Sequence, residues 1–259
     1  MKIAFFDSGV GGLTIFNKCL NRINAEYIYL ADNLNTPYGI KNKELVKKIV
    51  LNNIKKLNKF KPDIIVIACN TATSVAINDL RKEYKDKCII GTEPAVKVAA
   101  DETVDDNKRI LVCATSLTTK EEKLNNLIKN LNIQNRTDFL PLDELVIFAE
   151  NLDFSSSNVK KYLSEKFSEV EISNYSHIVL GCTHFPLFSN VIKDTLPYDI
   201  KIIDSSEGVI KNIKNKISIL NIKEDCNKNV TLLLTKEDKE FSHKFSNITK
   251  LIKFNEKII

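Results

Sequence analysis

No apolar run in these 259 residues approaches the ~20 needed to cross a bilayer, so no transmembrane span is expected. The opening MKIAFFDSGVGG holds only a short apolar stretch before Asp7, unlike a secretory signal, and the chain reads as cytoplasmic. No Cys-x-x-Cys pair occurs among Cys19, Cys69, Cys88, Cys113, Cys182 and Cys226, which argues against a zinc knuckle or a thioredoxin-type motif. In a reducing compartment these remain thiols, and Cys19, Cys88, Cys113 and Cys226 read as small buried hydrophobes. No basic block occurs either. The formal charge of +5 is scattered along Lys-rich stretches, whereas nucleic-acid footprints cluster, so neither a nucleic acid nor a membrane is an expected partner. No low-complexity linker marks a boundary. Glycine is scarce, with seven in all, and six of them (Gly9, Gly11, Gly12, Gly39, Gly91, Gly181) fall at or near the ends of apolar runs. A chain so poor in glycine that places it there is shaping a site by close backbone approach.

What is present is alternation. Near-continuous apolar runs, as strands buried on both faces require, occur at 3–7, 27–32, 63–69, 88–94, 109–115, 139–142, 177–182, 200–205 and 230–235. Between them lie amphipathic stretches with apolar residues at helical spacing, among them 41–60, 119–131 and 158–173. The alternation predicts α/β units around mostly parallel sheets. Two of the runs match: IIVIACNTAT at 64–73 and HIVLGCTHFP at 177–186 each deliver a cysteine to a strand tip followed by small polar residues. Such a repeat predicts two pseudo-symmetric three-layer α/β lobes facing each other, with the active site at the interlobe cleft. The expected division is 1–94 plus 206–259 for the lobe carrying Cys69, and 95–205 for the lobe carrying Cys182.

In parallel sheets, ligands bind beyond the carboxyl ends of the strands. The reactive residues gather there: Asp7-Ser8, Asp32, Cys69-Asn70-Thr71, Thr115 and Cys182-Thr183-His184. Two matched thiols suit a reaction needing the same group on both sides of one carbon, such as racemisation. One thiolate removes the α-proton and the opposite thiol supplies another. A reference pKa near about 8.5 makes both forms of cysteine accessible at neutral pH. If each sulfur reacts from ~3–3.5 Å, the pair stands roughly 7 Å apart. Taken alone, Cys182 with His184 also fits a single-nucleophile dyad. Asp7 either assists a thiol or caps the following helix. Ser8, Asn70, Thr71, Thr73, Thr115, Thr118 and Thr183, with backbone N–H groups, offer carboxylate binding without arginine; for Thr73, helix capping or a solvated face is the expected role. His177 and His243 lack reactive neighbours and read as structural.

DSGVGGLTIF near the start, NTPYG at 35–39, ACNTAT at 68–73 and GCTHFPL at 181–187 resemble the glutamate racemases of the aspartate/glutamate racemase family. Weaker likenesses are GTEPAVKVA at 91–99, AT-x-x-T at 114–118, PL-x-E at 141–144 and IIDS at 202–205. The resemblance implies cofactor-independent interconversion of L- and D-glutamate for peptidoglycan synthesis, in a homodimer. It implies that Cys69 acts on the D-enantiomer and Cys182 on the L-enantiomer, with Asp7, Glu144 and His184 assisting. Substrate contacts would fall on Asp7, Ser8, Tyr38, Gly39, Asn70, Thr71, Thr183 and His184. Two departures stand out. Where many members carry a serine and then a tyrosine after AT-x-x-T, this chain has Glu121 and Leu124; a frequent Cys-Pro before PL-x-E is absent. Aspartate racemisation, or a non-catalytic ligand-binding or nucleic-acid-interacting role on the same fold, are the alternatives.

Overall fold

A computed structural model describes the chain from residue 1 to 259, apart from 104, 106, 198, 199, 224–227 and 252, so the expectation for Cys226 lies outside the described residues. In chain order the first elements are β1 (Lys2–Asp7), α1 (Leu13–Leu20), β2 (Glu26–Ala31), α2 (Lys43–Asn58), β3 (Ile64–Ile67), α3 (Asn70–Glu83) and β4 (Cys88–Gly91). Then come α4 (Val96–Glu102), β5 (Arg109–Ala114), α5 (Ser116–Lys120), α6 (Glu122–Asn130), β6 (Thr137–Pro141), α7 (Glu144–Glu150), α8 (Ser157–Phe167) and β7 (Tyr175–Leu180). The chain closes with α9 (Ser189–Thr195), β8 (Lys201–Asp204), α10 (Ser206–Ile219), β9 (Val230–Leu234), α11 (Lys239–Thr249) and β10 (Asn255–Ile258).

The strands form two sheets, ordered β10-β9-β2-β1-β3-β4 and β6-β5-β7-β8. Every paired neighbour in both is parallel. The second sheet repeats the β2-β1-β3-β4 order of the first. In each, the chain steps outward on one side of its first strand and returns on the other. The gap between β1 and β3, and that between β5 and β7, is therefore a switch point, where loops diverge and leave a crevice.

Strand alternation decides the layers. Ile3 and Phe5 face one core while Ala4 and Phe6 face another. In the second sheet Leu111 and Cys113 face the core shared with α7 and α8, and Ile110 and Val112 face α4 and α6. Both sheets are thus covered on both sides, which is why their strands read as unbroken apolar runs. The helices supply matching stripes. In α2, Val46, Val50, Ile54 and Leu57 are buried at helical spacing, and Asn42 caps the first turn by accepting from the Glu44 and Leu45 N–H groups. Burying each such side chain contributes about 1.5–3 kcal/mol.

Two differences from the sequence pattern have local causes. The stretch 119–131 is two helices, because Glu121 adopts extended backbone (ψ 133°) between α5 and α6. The strand β10 has no apolar run; all four of its residues are exposed. Polar residues on an edge strand are what protects it from further pairing. Among the described residues no helix is long and apolar enough to cross a membrane.

Candidate active site

The carboxyl ends of the two sheets meet at one seam. From the first sheet come Asp7 at the end of β1 and Cys69 just beyond β3; from the second come Thr115 just beyond β5 and Cys182 just beyond β7. Contacts cross the seam directly. The Thr183 hydroxyl donates to Asp7 Oδ2 at 3.3 Å, and the Val10 N–H donates to Glu150 Oε1 at 2.9 Å. Thr71 Oγ1 lies 3.0 Å from Thr115 Oγ1 and 3.2 Å from Thr118 Oγ1, and those two are 3.0 Å apart, a closed triangle of hydroxyls.

Glycine permits this approach by lacking a side chain. None of the glycines has positive φ. A Cβ on Gly9 would sit 1.8 Å from Glu150 Oε1, on Gly11 2.4 Å from His184 Nδ1, and on Gly39 2.7 Å from Thr115 Cβ. All three clashes are with residues on the second sheet's side of the seam, so these glycines permit the two sides to approach closely.

Cys69 is the N-cap of α3; its sulfur accepts from the Ala72 N–H at 3.3 Å and lies 3.9 Å from Ser8 Oγ. Burial pushes its thiol well above the ordinary range, and the charges of Asp7 and Cys182 add to the rise, against the Ala72 and Ser8 contacts. Cys182 differs in setting. No α-helix starts beside it, since a 3-10 turn at 185–188 intervenes before α9. Its polar neighbour is His184 Nδ1 at 3.6 Å, and His184 Nε2 in turn lies 2.7 Å from Glu150 Oε1. Burial alone would lower the His184 pKa. The hydrogen bonds to Cys182 and Glu150, with their negative charges, hold it well above the usual imidazole value. The row is therefore sulfur, imidazole and carboxyl, with the imidazole held toward its charged form.

Asp7 is fully buried, which raises its pKa to about 6 against the opposing pull of His184. Its Oδ1 accepts the Gly9 N–H at 2.8 Å, so it orders the turn before α1 while the Gly12 backbone forms the cap of that helix. Tyr38 is buried with its hydroxyl donating to Asp32 Oδ2, which fixes the loop carrying Gly39. Asn70 donates to the Thr92 carbonyl at 3.3 Å, leaving Oδ1 a buried acceptor with no partner. Thr73 is buried, not solvated; its hydroxyl donates to the Ile67 carbonyl and accepts from the Thr92 N–H. His177 is tied to Thr103, Ser176 and Glu102, away from the seam, and His243 is exposed.

Glu144 is not at the seam. It opens α7 and is exposed, whereas Glu150, at the other end of the same helix, reaches His184. Six residues along a helix turn a side chain about 120° away, so the two carboxylates occupy different faces. The signal that marks Glu150 is positional: an acidic residue in the last turn opposes the helix dipole and calls for a compensating partner.

Ser8, Tyr38, Asn70, Thr71, Thr115, Thr118, Thr183, His184 and Asp7 are each at most 3% exposed, and Cys69 and Cys182 are 6% and 7% exposed. The seam is thus closely packed, with Asn70 Oδ1 left as a buried acceptor without a partner.

Comparison with known proteins agrees with this architecture. The sequence profile of the Asp/Glu/Hydantoin racemase family matches residues 12–211. Over 219 residues, 84% of this chain and 82% of the relative, the chain is 45% identical to glutamate racemase 2 of Bacillus subtilis. It is 44% identical to the glutamate racemase of Campylobacter curvus over 227 residues, covering 86% of this chain and 85% of that one. The crystal structure of glutamate racemase from Francisella tularensis in complex with D-glutamate superposes with a TM-score of 0.88 at 24% identity, over 100% of this chain and 97% of that one.

Proposed function

The chain belongs to the Asp/Glu/Hydantoin racemase family, among its glutamate racemases, and from that premise we propose that Cys69 and Cys182 exchange the α-proton of glutamate from opposite faces. The observation that carries this reading is the meeting of the two strand-tip thiols at one buried seam, where Thr183, next to Cys182, bonds Asp7 of the strand beside Cys69. The lobes of this reading are 1–94 with 206–259, and 95–205.

The resting protonation follows from the surroundings. Cys69 is held as the thiol by burial and by Asp7, while Cys182 has the His184 imidazole beside it at 3.6 Å. The free enzyme is thus poised for Cys182 to take the α-proton, from L-glutamate by the family pattern, and for Cys69 to return one to the other face. The proton count balances within the chain: one sulfur gains what the other loses, so this scheme requires no cofactor. The next turnover starts either from D-glutamate, with Cys69 now the base, or after the sulfurs exchange protons with water. Glu150 holds the His184 proton, and Asp7 stands beside Cys69. The hydroxyls of Ser8, Thr71, Thr115, Thr118 and Thr183 and the Gly39 backbone bind the substrate carboxylates, and Asn70 Oδ1 accepts from the ammonium. Tyr38 positions Gly39. The product is D-glutamate for peptidoglycan, made in the cytoplasm by a homodimer.

The test is circular dichroism with L-glutamate, D-glutamate and both aspartates, with no cofactor added. Decay of both glutamate signals to zero is expected. A signal lost from aspartate alone would reassign the substrate, and no decay from any of the four would refute the catalytic reading.

A further inference from the structure

The seam is shut in the free protein, so something holds it. Many cross-lobe contacts belong to the site itself and must yield to substrate. Ion pairs outside it also bridge the lobes, Lys123–Glu93 at 2.6 Å and Lys18–Asp204 at 3.6 Å among them, and one lies beside the loop over the site. Glu121, the extended residue that splits α5 from α6, keeps only 6% of its side chain exposed and places Oε2 2.8 Å from Lys43 Nζ. Lys43 is the first residue of α2, in the first lobe, and directly follows the loop that carries Tyr38 and Gly39 over the site. That loop already presses on the second lobe, where Gly39 meets Thr115. Leu117 of α5 packs against the apolar core of the first lobe beneath it. Glu121 is nearly enclosed while Lys43 keeps 44% of its side chain exposed, so parting the lobes at this rim gives up the attraction of a half-buried ion pair. Glu121 is also one of the positions where the chain departs from the pattern of the family it resembles.

We propose that the Lys43–Glu121 ion pair is a clasp across the mouth of the cleft, which sets how often the lobes open and admit molecules to the cysteines. The clasp governs opening, not the chemistry of the closed state, so its signature is access. In the free protein, alkylation of Cys182 by iodoacetamide requires opening, and its rate reports the open fraction.

The variants are Glu121→Gln, Lys43→Met and Lys43→Arg, labelled without glutamate and read peptide by peptide by mass spectrometry. Glu121→Gln and Lys43→Met are each expected to raise the Cys182 labelling rate about fivefold, the scale of one partly buried ion pair, and Lys43→Arg to leave it near wild type. Raised salt should speed labelling of the wild type more than that of either neutral variant, since Lys123–Glu93 and Lys18–Asp204 remain in all three. The two variants alter local charge with opposite sign, so a direct effect on thiolate reactivity would move their rates apart, whereas release of a clasp moves both upward. Cys113, fully buried in the second sheet, reports global unfolding. Rates equal to wild type, rates moving in opposite directions, or Cys113 labelling rising in step with Cys182 would each overturn the proposal. The readout needs no turnover, so it stands or falls separately from the glutamate assignment.

Discussion

Asp7 offers a quantitative test of the buried site, through the substitution Asp7→Asn. Burial raises the Asp7 pKa from 3.8 to about 6, and the residue is 0% exposed, so solvent screening takes little from the effect. That rise corresponds to about 3 kcal/mol. Its sign is fixed by linkage. A carboxyl with a raised folded pKa contributes its full stability below pH 3.8 and loses it as pH climbs through about 6, because the native state must then hold a buried charge. Asparagine keeps the acceptor for the Gly9 N–H and turns its amide to the Thr183 hydroxyl, so the polar contacts survive the change. The two proteins should therefore be about equally stable near pH 4, and the variant more stable by up to about 3 kcal/mol at pH 8. Denaturant unfolding followed by circular dichroism at several pH values between those limits measures the difference. Other carboxylates titrate alike in both proteins and cancel. A difference that stays flat with pH, or that favours wild type at pH 8, would refute the burial argument. Racemisation by the variant should fall even as stability rises, since the site holds charge at the expense of the fold.

Further expectations bear on the chemistry. Cys69→Ser and Cys182→Ser should each lose about a thousandfold or more in turnover while keeping the wild-type circular-dichroism spectrum, and near-normal turnover by either folded variant would exclude the two-thiol scheme. In D₂O the wild-type product should carry deuterium at the α-carbon, which mass spectrometry reads; full retention of the original hydrogen would point to a single shuttling base. Glu150→Gln should lower kcat about 10- to 100-fold and shift the alkaline limb of the pH profile downward, because one of the groups raising the His184 pKa is lost, while Glu144→Gln should change kcat less than about twofold. Gly9→Ala should reproduce the Glu150→Gln kinetics at little cost in stability, because its Cβ displaces the flexible end of Glu150, and wild-type kinetics from a folded Gly9→Ala would contradict the crowding seen at the seam.

The strands and both sheets are legible in the sequence because doubly covered parallel strands are apolar throughout, and a polar residue at such a strand's end stands out against them. The matched tips at Cys69 and Cys182 are legible for the same reason. Glu150 is hidden because its meaning is tertiary. Locally only its place in the last turn separates it from Glu144 on the same short helix, and the approach of Gly9, Val10 and His184 from elsewhere makes it the carboxylate of the site. Glu121 is hidden likewise. It lies in an amphipathic stretch that reads as one helix, and the break becomes visible only beside Lys43. The strand β10 is missed because an exposed edge carries no hydrophobic signal.

The recurrence of one strand order in both sheets bears on handedness. A polymer of L-amino acids cannot produce the mirror image of its own binding surface. It can, however, build one unit twice and set the copies tip to tip. A rotation that swaps such copies also swaps the top and underside of any flat molecule held between them, so a wholly left-handed alphabet treats both antipodes of its ligand nearly alike.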